Sequence, residues 1–522
     1  MAPYYVNSIE VLQRPATAPP WEHPKEPTRV ELPAGHKKTP DRRPLDCDII
    51  LERDQLLTLR DGVRIRADIF RPKTEGKVPA VLMWSPYGKT GTGALNLDKV
   101  PLTAGVPLSK LSGYESFEGL DPAEWVSKGY AVVNADARGV GDSEGDIRIW
   151  GTGEGQDGHD AIEEIAKLPW CTGKVALAGN SWLALCQWFI AAERPPHLAC
   201  IAPFEGCSDH LRETLSRGGI PDKGFSGMIN HVLNGRNMME DNIAMLDKFP
   251  NCREYWDDKR ARMDKIEVPA YILASYSTML HTVGSFRGFE EIPHQKKWIA
   301  VHATQEWYDL YSKSRNVGEK PPPVRLAVLG YNKPPILDLS FDHLPWLAPY
   351  TPTTNVQKLY LTQNKSLQLA NEATSSTLEY KDTERLELAY TFQQPTKLAG
   401  PTKLVIHTSC PSQADFDIYV QLRKRDSSGN DLVHVNMPLE DLGVADAKEV
   451  PNINPLKYLG PTGQLRASRR KFDAGEQLVV KVSGNGMSLP EFEPLAVQPQ
   501  NVAQQLVHVG GQYESYLEVV WI

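Results

Sequence analysis

The sequence has 522 residues, of which 41% are apolar and 23% charged, a balance typical of a folded protein with roughly two to four domains. A small disulfide-stabilised module is therefore excluded. The 57 basic and 65 acidic side chains give a formal net charge of −8, so no general positive field attracts nucleic acid or an anionic membrane, and we expect neither as a partner.

The sequence also predicts the cellular compartment and the absence of bound metal. It contains no run of about 18 apolar residues, and its N-terminal segment lacks the apolar stretch of a signal peptide. We therefore expect an intracellular, cytoplasmic protein. The seven cysteines form no CxxC pair, which favours reduced thiols over disulfides or a zinc site. We expect no metal and no cofactor.

Hydrophobic patterning divides the chain into four parts. Residues 1–48 are rich in proline and basic side chains and predict an extended arm that either wraps the next domain or is partly disordered. In residues 49–207 and again in 266–335, apolar strands alternate with helices, which predicts a parallel sheet covered on both faces. Residues 208–265 are polar and predict a helical cap over the carboxyl ends of the strands. Residues 336–522 show short strands between turns, the pattern of an all-β sandwich.

The strongest local motif is GNSWLA, in which Ser181 lies between a buried strand and a helix. Gly179 permits the tight turn that raises a serine hydroxyl above a sheet edge, the nucleophile elbow of serine hydrolases. The N–H of Trp182, at the helix N-terminus, would then point at a developing oxyanion. Leu183 stands where a second glycine is usual, and a helix N-cap serine is the alternative interpretation. The context of strand, turn and helix favours the elbow.

Six motifs follow one another along most of the chain: LTLRDGVRIRADIFRP, SPYGK, NADARGVGDSEG, GNSWLA, IAPFEGCSD and LRASRRKFD. Together they resemble the cocaine esterase and X-prolyl dipeptidyl-peptidase family of α/β-hydrolases. The resemblance implies an α/β-hydrolase sheet with a helical cap insertion, followed by an all-β jelly-roll domain. It also implies that Ser181 is the nucleophile, and that the Tyr87 hydroxyl and the Trp182 N–H are oxyanion donors.

The sequence departs from the family pattern at the other two members of the catalytic triad. The family has an acid after the seventh strand of its sheet and a histidine after the eighth, but this chain has Ser277 and Glu306 at those places. One interpretation exchanges the two roles, with His281 as general base from the seventh loop and Glu306 as the carboxylate that orients it. The other interpretation is that the triad has been lost.

Three further residues are alternative members of the site. His302 could serve as the base, although a histidine so near the core of a strand is more often packed there. Glu205, at the end of the strand LACIAPF, is a rival carboxylate, and Asp309 is a weaker one. The sequence does not decide among them.

These observations predict a serine hydrolase that acts on an ester or activated acyl group of a small, largely apolar molecule through an acyl intermediate on Ser181. The first alternative is a non-hydrolytic enzyme of the same fold that cyclises, isomerises or transfers an acyl group on a bulky, natural-product-like substrate. The second is a binding protein built on an inactive hydrolase. The segment after Tyr311 is too short for the long closing helix of the family, which either enlarges the site or alters an oligomer contact. A homodimer stays open as the assembly.

Overall fold

The structure is a computed structural model of the chain. It describes every residue except 1–2, 23–24, 91–92, 94, 100–105, 276–279, 303–321, 329–330, 332–335, 343–354, 382–383, 433, 436–438, 440–442, 446–448, 451–456, 459–467, 488–502 and 522. None of the helices in the described part of the chain combines the length and the apolar character needed to cross a bilayer.

The described residues form an 11-stranded central sheet. In chain order its strands are β1 (Thr28–Leu32), β2 (Ile49–Thr58), β3 (Arg64–Pro72), β4 (Val78–Ser85), β5 (Ala131–Asp136), β6 (Cys171–Asn180), β7 (Leu198–Phe204), β8 (Ala270–Ser275), β9 (Lys297–His302), β10 (Val324–Val328) and β11 (Ile336–Phe341). Across the sheet their order is β11, β10, β9, β8, β7, β6, β4, β5, β3, β2, β1.

The middle of this sheet is parallel, as the sequence predicts. Neighbouring strands are parallel throughout the run β5, β4, β6, β7, β8, β9, β10. At the two edges of the sheet, β1, β2, β3 and β11 pair antiparallel with their neighbours. Parallel strands have both faces covered, which explains why β5 is buried along its whole length. Their carboxyl ends meet at one edge, so the loops that follow β4, β6, β7 and β8 lie close together.

Seven α-helices are described. Their bounds are α1 (Pro122–Val126), α2 (Gly151–Ala166), α3 (Trp182–Ala192), α4 (Gly224–Val232), α5 (Asn242–Lys248), α6 (Arg253–Trp256) and α7 (Thr282–Glu291). Helices α4 to α6 lie in the segment predicted to be the cap, together with a short hairpin of Ser216–Arg217 and Ile220–Pro221. The sequence analysis did not predict that hairpin.

The described part of the N-terminal arm is ordered against the rest of the molecule. Strand β1 extends the central sheet by pairing with β2, and Gln13–Pro15 pairs antiparallel with Met238–Glu240 of the cap segment. Val6 and Val11 are buried in a cluster with cap side chains. These described residues of the arm thus contact both the central sheet and the cap segment.

The C-terminal part is rich in antiparallel strands around a hydrophobic core of its own. Its longest strands are Asn355–Leu361, Tyr419–Arg425 and Gln477–Ser483. This agrees with the predicted all-β domain, while the jelly-roll connectivity stays a prediction. Strand β11 still belongs to the central sheet, so that sheet continues past residue 335, where the sequence analysis places the boundary. The prolines on both sides of β11 are typical of a linker between domains, which is why the sequence suggests a boundary there. An antiparallel edge strand can, however, follow its neighbour after only a short connection.

Candidate active site

Ser181 occupies a sharp turn between β6 and α3. Its backbone has φ 53° and ψ −115°, a conformation that a non-glycine residue rarely adopts. Gly179 makes the turn possible, because a Cβ at that position would lie 2.5 Å from the Cβ of Leu183. The Ser181 N–H donates to the carbonyl of Phe204 at 3.0 Å, which ties the turn to β7. The predicted strand, turn and helix are therefore confirmed.

His281 lies beside this serine, as predicted. It directly precedes α7, and its Nε2 is 3.2 Å from the Ser181 Oγ. The start of α7 is fixed by the Thr282 hydroxyl, which donates to the Ser275 carbonyl at the end of β8. The Ser285 hydroxyl donates to the His281 carbonyl at 2.9 Å. These contacts hold the imidazole at the carboxyl edge of the sheet.

A buried carboxylate, that of Glu205, lies on the other side of the imidazole. Glu205 follows β7 with φ 56°, and its N–H donates to the Leu273 carbonyl at 2.8 Å. Its Oε2 is 3.6 Å from the Nδ1 of His281. That distance is an ion-pair distance and exceeds a normal hydrogen bond, but such bonds often tighten only when substrate is bound.

The other predicted members of the triad lie outside the described residues. Glu306 is one of them, as is the weaker alternative Asp309, and so is Ser277, which stands where the family has its acid. His302 ends β9, where its backbone pairs with Ser275, and its side chain is likewise outside the description. The described structure thus brings Ser181, His281 and Glu205 together, and the role of Glu306 stays a prediction.

Tyr87 and Trp182, the predicted oxyanion donors, lie side by side. Their ring centroids are 6.1 Å apart at a steep angle, and the Tyr87 ring also contacts that of Phe117 at 5.4 Å. Tyr87 is buried, and this burial raises its pKa well above the usual range. The phenol therefore stays neutral and keeps its proton for hydrogen bonding at physiological pH.

Glu118 is a residue of the site that the sequence analysis missed. Its carboxyl interacts with the Ser181 hydroxyl, the Trp182 N–H and the Asn180 side chain, and these contacts lower its pKa. Burial has the larger effect and raises the pKa to about 8. Oε2 is buried without a hydrogen-bond partner among the described residues. No spacing rule connects Glu118 with GNSWLA, so only the folded chain reveals it.

A cavity that is partly open to solvent lies in front of Ser181, and the roughly 430 Å³ of atom-free space measured there includes open solvent. Its described lining is largely apolar and aromatic, with a few amides and hydroxyls and no acidic side chain. The lining residues are Tyr87, Trp150, Ser181, Trp182, Leu185, Cys207, His210, Thr214, Phe225, Ser226, Ile229, Asn230, Asn242, Leu280 and His281. Within the described ranges, no three His, Cys, Asp or Glu side chains are grouped so that they could hold a metal ion.

Two family models match the chain. Residues 61–242 match the model for X-Pro dipeptidyl-peptidase of the S15 family, a range that includes Ser181 and Glu205 and ends before His281. Residues 316–518 match the model for the X-Pro dipeptidyl-peptidase C-terminal non-catalytic domain.

Similar proteins agree with these matches. The cocaine esterase of Rhodococcus sp. (strain MB1 Bresler) is 31% identical over 157 residues, which span 30% of this chain and only 24% of that esterase. A CocE/NonD family hydrolase from Staphylococcus aureus has the same fold, with a TM-score of 0.79 and 24% identity over 100% of this chain and 98% of that one. An α-amino acid ester hydrolase has a TM-score of 0.64 and 15% identity over 90% of this chain and 96% of that chain. The chain therefore has the two domains of X-Pro dipeptidyl-peptidases, the S15-family domain and the C-terminal non-catalytic domain, and it is similar to the cocaine esterase in part of the first.

Proposed function

We propose that the protein is a serine hydrolase that acts on esters of small, largely apolar molecules through an acyl intermediate on Ser181. One observation carries the proposal: the Ser181 hydroxyl, raised on a strained turn, lies 3.2 Å from the Nε2 of His281. A serine is a weak nucleophile unless an adjacent base accepts its proton, and this geometry supplies that base.

In the proposed reaction, Ser181 Oγ forms a bond to the carbonyl carbon of the ester while its proton passes to His281 Nε2. The tetrahedral intermediate collapses when the bond to the alcohol oxygen breaks, and His281 returns the proton to that leaving alcohol. Water then attacks the acyl-serine with His281 again as base, which releases the acid and restores the Ser181 hydroxyl.

Glu205 is the carboxylate that we assign to this reaction. Its Oε2 lies beside the Nδ1 of His281. A negative charge at this place orients the imidazole and stabilises the imidazolium that forms when Ser181 is deprotonated. The Trp182 N–H and the neutral Tyr87 hydroxyl are the proposed donors to the oxyanion. Both residues line the cavity together with Ser181, and the oxyanion would replace Glu118 as the acceptor of the Trp182 N–H.

The cavity lining favours esters over peptides with a free amino terminus. A protonated amino group needs a carboxylate or several acceptor oxygens when it leaves water. None of the described side chains that line the cavity is acidic. An uncharged, mostly apolar substrate is therefore the better match.

A non-hydrolytic acid–base reaction, such as a cyclisation or isomerisation, is the second candidate function. The observation that favours it is Glu118, whose carboxyl faces Ser181 and is held largely in its neutral form by burial. A neutral carboxylic acid beside the nucleophile can donate a proton or hydrogen bond that simple ester hydrolysis does not require.

Replacement of the nucleophile separates the two candidates. Ser181→Ala should abolish the turnover of p-nitrophenyl esters and leave the thermal midpoint within a few degrees, since the loss of one half-buried hydroxyl that faces the cavity removes little packing. Ser428→Ala, in an exposed turn of the β-domain, is the matched control and should keep full activity. Ester turnover that survives Ser181→Ala would contradict hydrolysis through Ser181.

A further inference from the structure

A chain of three hydrogen-bonded side chains lies in the cap wall of the cavity. The Asn230 Nδ2 donates to the Asn242 Oδ1 at 2.6 Å, which orients the Asn242 amide. The Asn242 Nδ2 in turn donates to the Nε2 of His210 at 2.7 Å. Because Nε2 accepts this hydrogen bond, a neutral His210 must carry its proton on Nδ1.

His210 is held in the neutral form by its surroundings. The side chain is buried against the edge of Trp150, with ring centroids 4.3 Å apart. Burial lowers the pKa of the imidazole well below its usual range, and the nearby Lys259 ammonium lowers it further. The His210 Nδ1–H is therefore a fixed, uncharged donor.

This donor has nothing to bind in the described part of the chain. Nδ1 of His210 is buried without a hydrogen-bond partner there, although the residue lines the same cavity as Ser181 and His281. A buried donor without a partner costs free energy, and an acceptor oxygen placed beside it recovers that cost. A ligand oxygen in the cavity would satisfy it.

We infer that His210 is a substrate-binding residue whose Nδ1–H recognises an uncharged acceptor oxygen, such as an ether, carbonyl or hydroxyl oxygen, in the substrate. This inference rests on the proposed ester hydrolysis and narrows its substrate class. A substrate with an ammonium group at this point would be disfavoured, because it would meet a second donor and the positive charge of Lys259.

The test compares esters that differ in a single atom. p-Nitrophenyl pentanoate is compared with the two analogues in which an ether oxygen replaces the methylene at C3 or at C4 of the acyl chain, and a second series of alkyl esters places the ether in the alcohol portion. Values of kcat/KM are divided by the rates of hydroxide-catalysed hydrolysis to remove intrinsic reactivity. We expect one ether position to be preferred by roughly threefold to tenfold, the range for one neutral hydrogen bond.

His210→Phe keeps a ring of similar shape and removes the donor. It should abolish this preference, chiefly through KM, so that the kcat/KM ratio of the preferred ether ester to pentanoate falls to about one whatever the variant does to pentanoate turnover itself. His231→Phe, at an exposed histidine of α4, is the matched control and should keep the preference.

The inference is overturned if His210→Phe retains the preference, or if no ether position is preferred by the unmodified enzyme. The second comparison needs no variant, so it decides the matter even if His210→Phe does not fold. Turnover without any ether preference contradicts only the role of His210. An absence of all ester turnover contradicts the proposed function itself.

Discussion

Glu118 is the residue that should set the alkaline limit of activity. Its carboxyl is neutral below its pKa of about 8 and ionised above it. The ionised form accepts from the Trp182 N–H and repels a developing oxyanion, so kcat/KM for a neutral ester should fall as the pH rises through this value. Glu205 and His281 also lie near Ser181, and so do Tyr87, Cys186 and Cys207, but burial raises the pKa of each of these last three well above its usual range.

Glu118→Gln is the variant that isolates this effect, because glutamine has a similar shape and does not ionise. The decline in kcat/KM above pH 8 should disappear in its pH profile. If kcat/KM of the variant still declines above pH 8, the decline is caused by the ionisation of another group.

The carboxylate partner of His281 can be identified by two parallel substitutions. Glu205→Gln should lower kcat by about 10²-fold or more, since the loss of the orienting carboxylate of a triad is costly. Glu306→Gln should leave kcat within a few fold. Steady-state kinetics of both variants make the comparison, and the opposite order of losses would restore the exchanged pair of His281 and Glu306.

At the residue scale, the sequence was informative where a local pattern carries the chemistry. GNSWLA predicts the elbow at Ser181, because the turn needs Gly179 and the helix that follows supplies the Trp182 N–H. The choice between Glu205 and Glu306 could not be made, since it depends on the distance between loops after different strands. Glu118 was missed for the same reason: its contacts with Ser181 are formed only by folding.

At the scale of elements, the position of His281 depends on how closely α7 approaches the loop after β7. A Cβ at Gly284 would lie 2.5 Å from the backbone of Cys207, so no side chain fits there without a shift of the helix. Gly284→Ala should therefore lower the free energy of unfolding by about 1–3 kcal/mol and reduce kcat, because the shift moves His281 away from Ser181.

Denaturant unfolding and steady-state kinetics test this expectation. Gly227→Ala in α4 is the matched control, because its new methyl group would meet Ile243 Cδ1 at an ordinary 3.5 Å. That variant should be as stable as the unmodified protein or slightly more so. Equal effects of the two substitutions would show that α7 is not held by this close contact.

At the scale of the whole molecule, alternating strands and helices predicted the parallel sheet, and short strands predicted the β-rich C-terminal domain. Two features of the sheet could not be predicted from the hydrophobic pattern of the sequence. The arm adds β1 to the sheet edge through backbone hydrogen bonds, which any extended segment can form. Strand β11 returns to the same sheet, although the prolines that precede and follow it suggest a change of domain.

The central claim, that Ser181 is the activated nucleophile of a hydrolase, is tested most directly with a fluorophosphonate probe. Labelled protein is digested and the modified peptide is identified by mass spectrometry. We predict one equivalent of label on Ser181, none in Ser181→Ala and much slower labelling in His281→Ala, because the probe reacts only with an activated serine. Ester turnover by a protein that takes up no label, or a label on another residue, would contradict it.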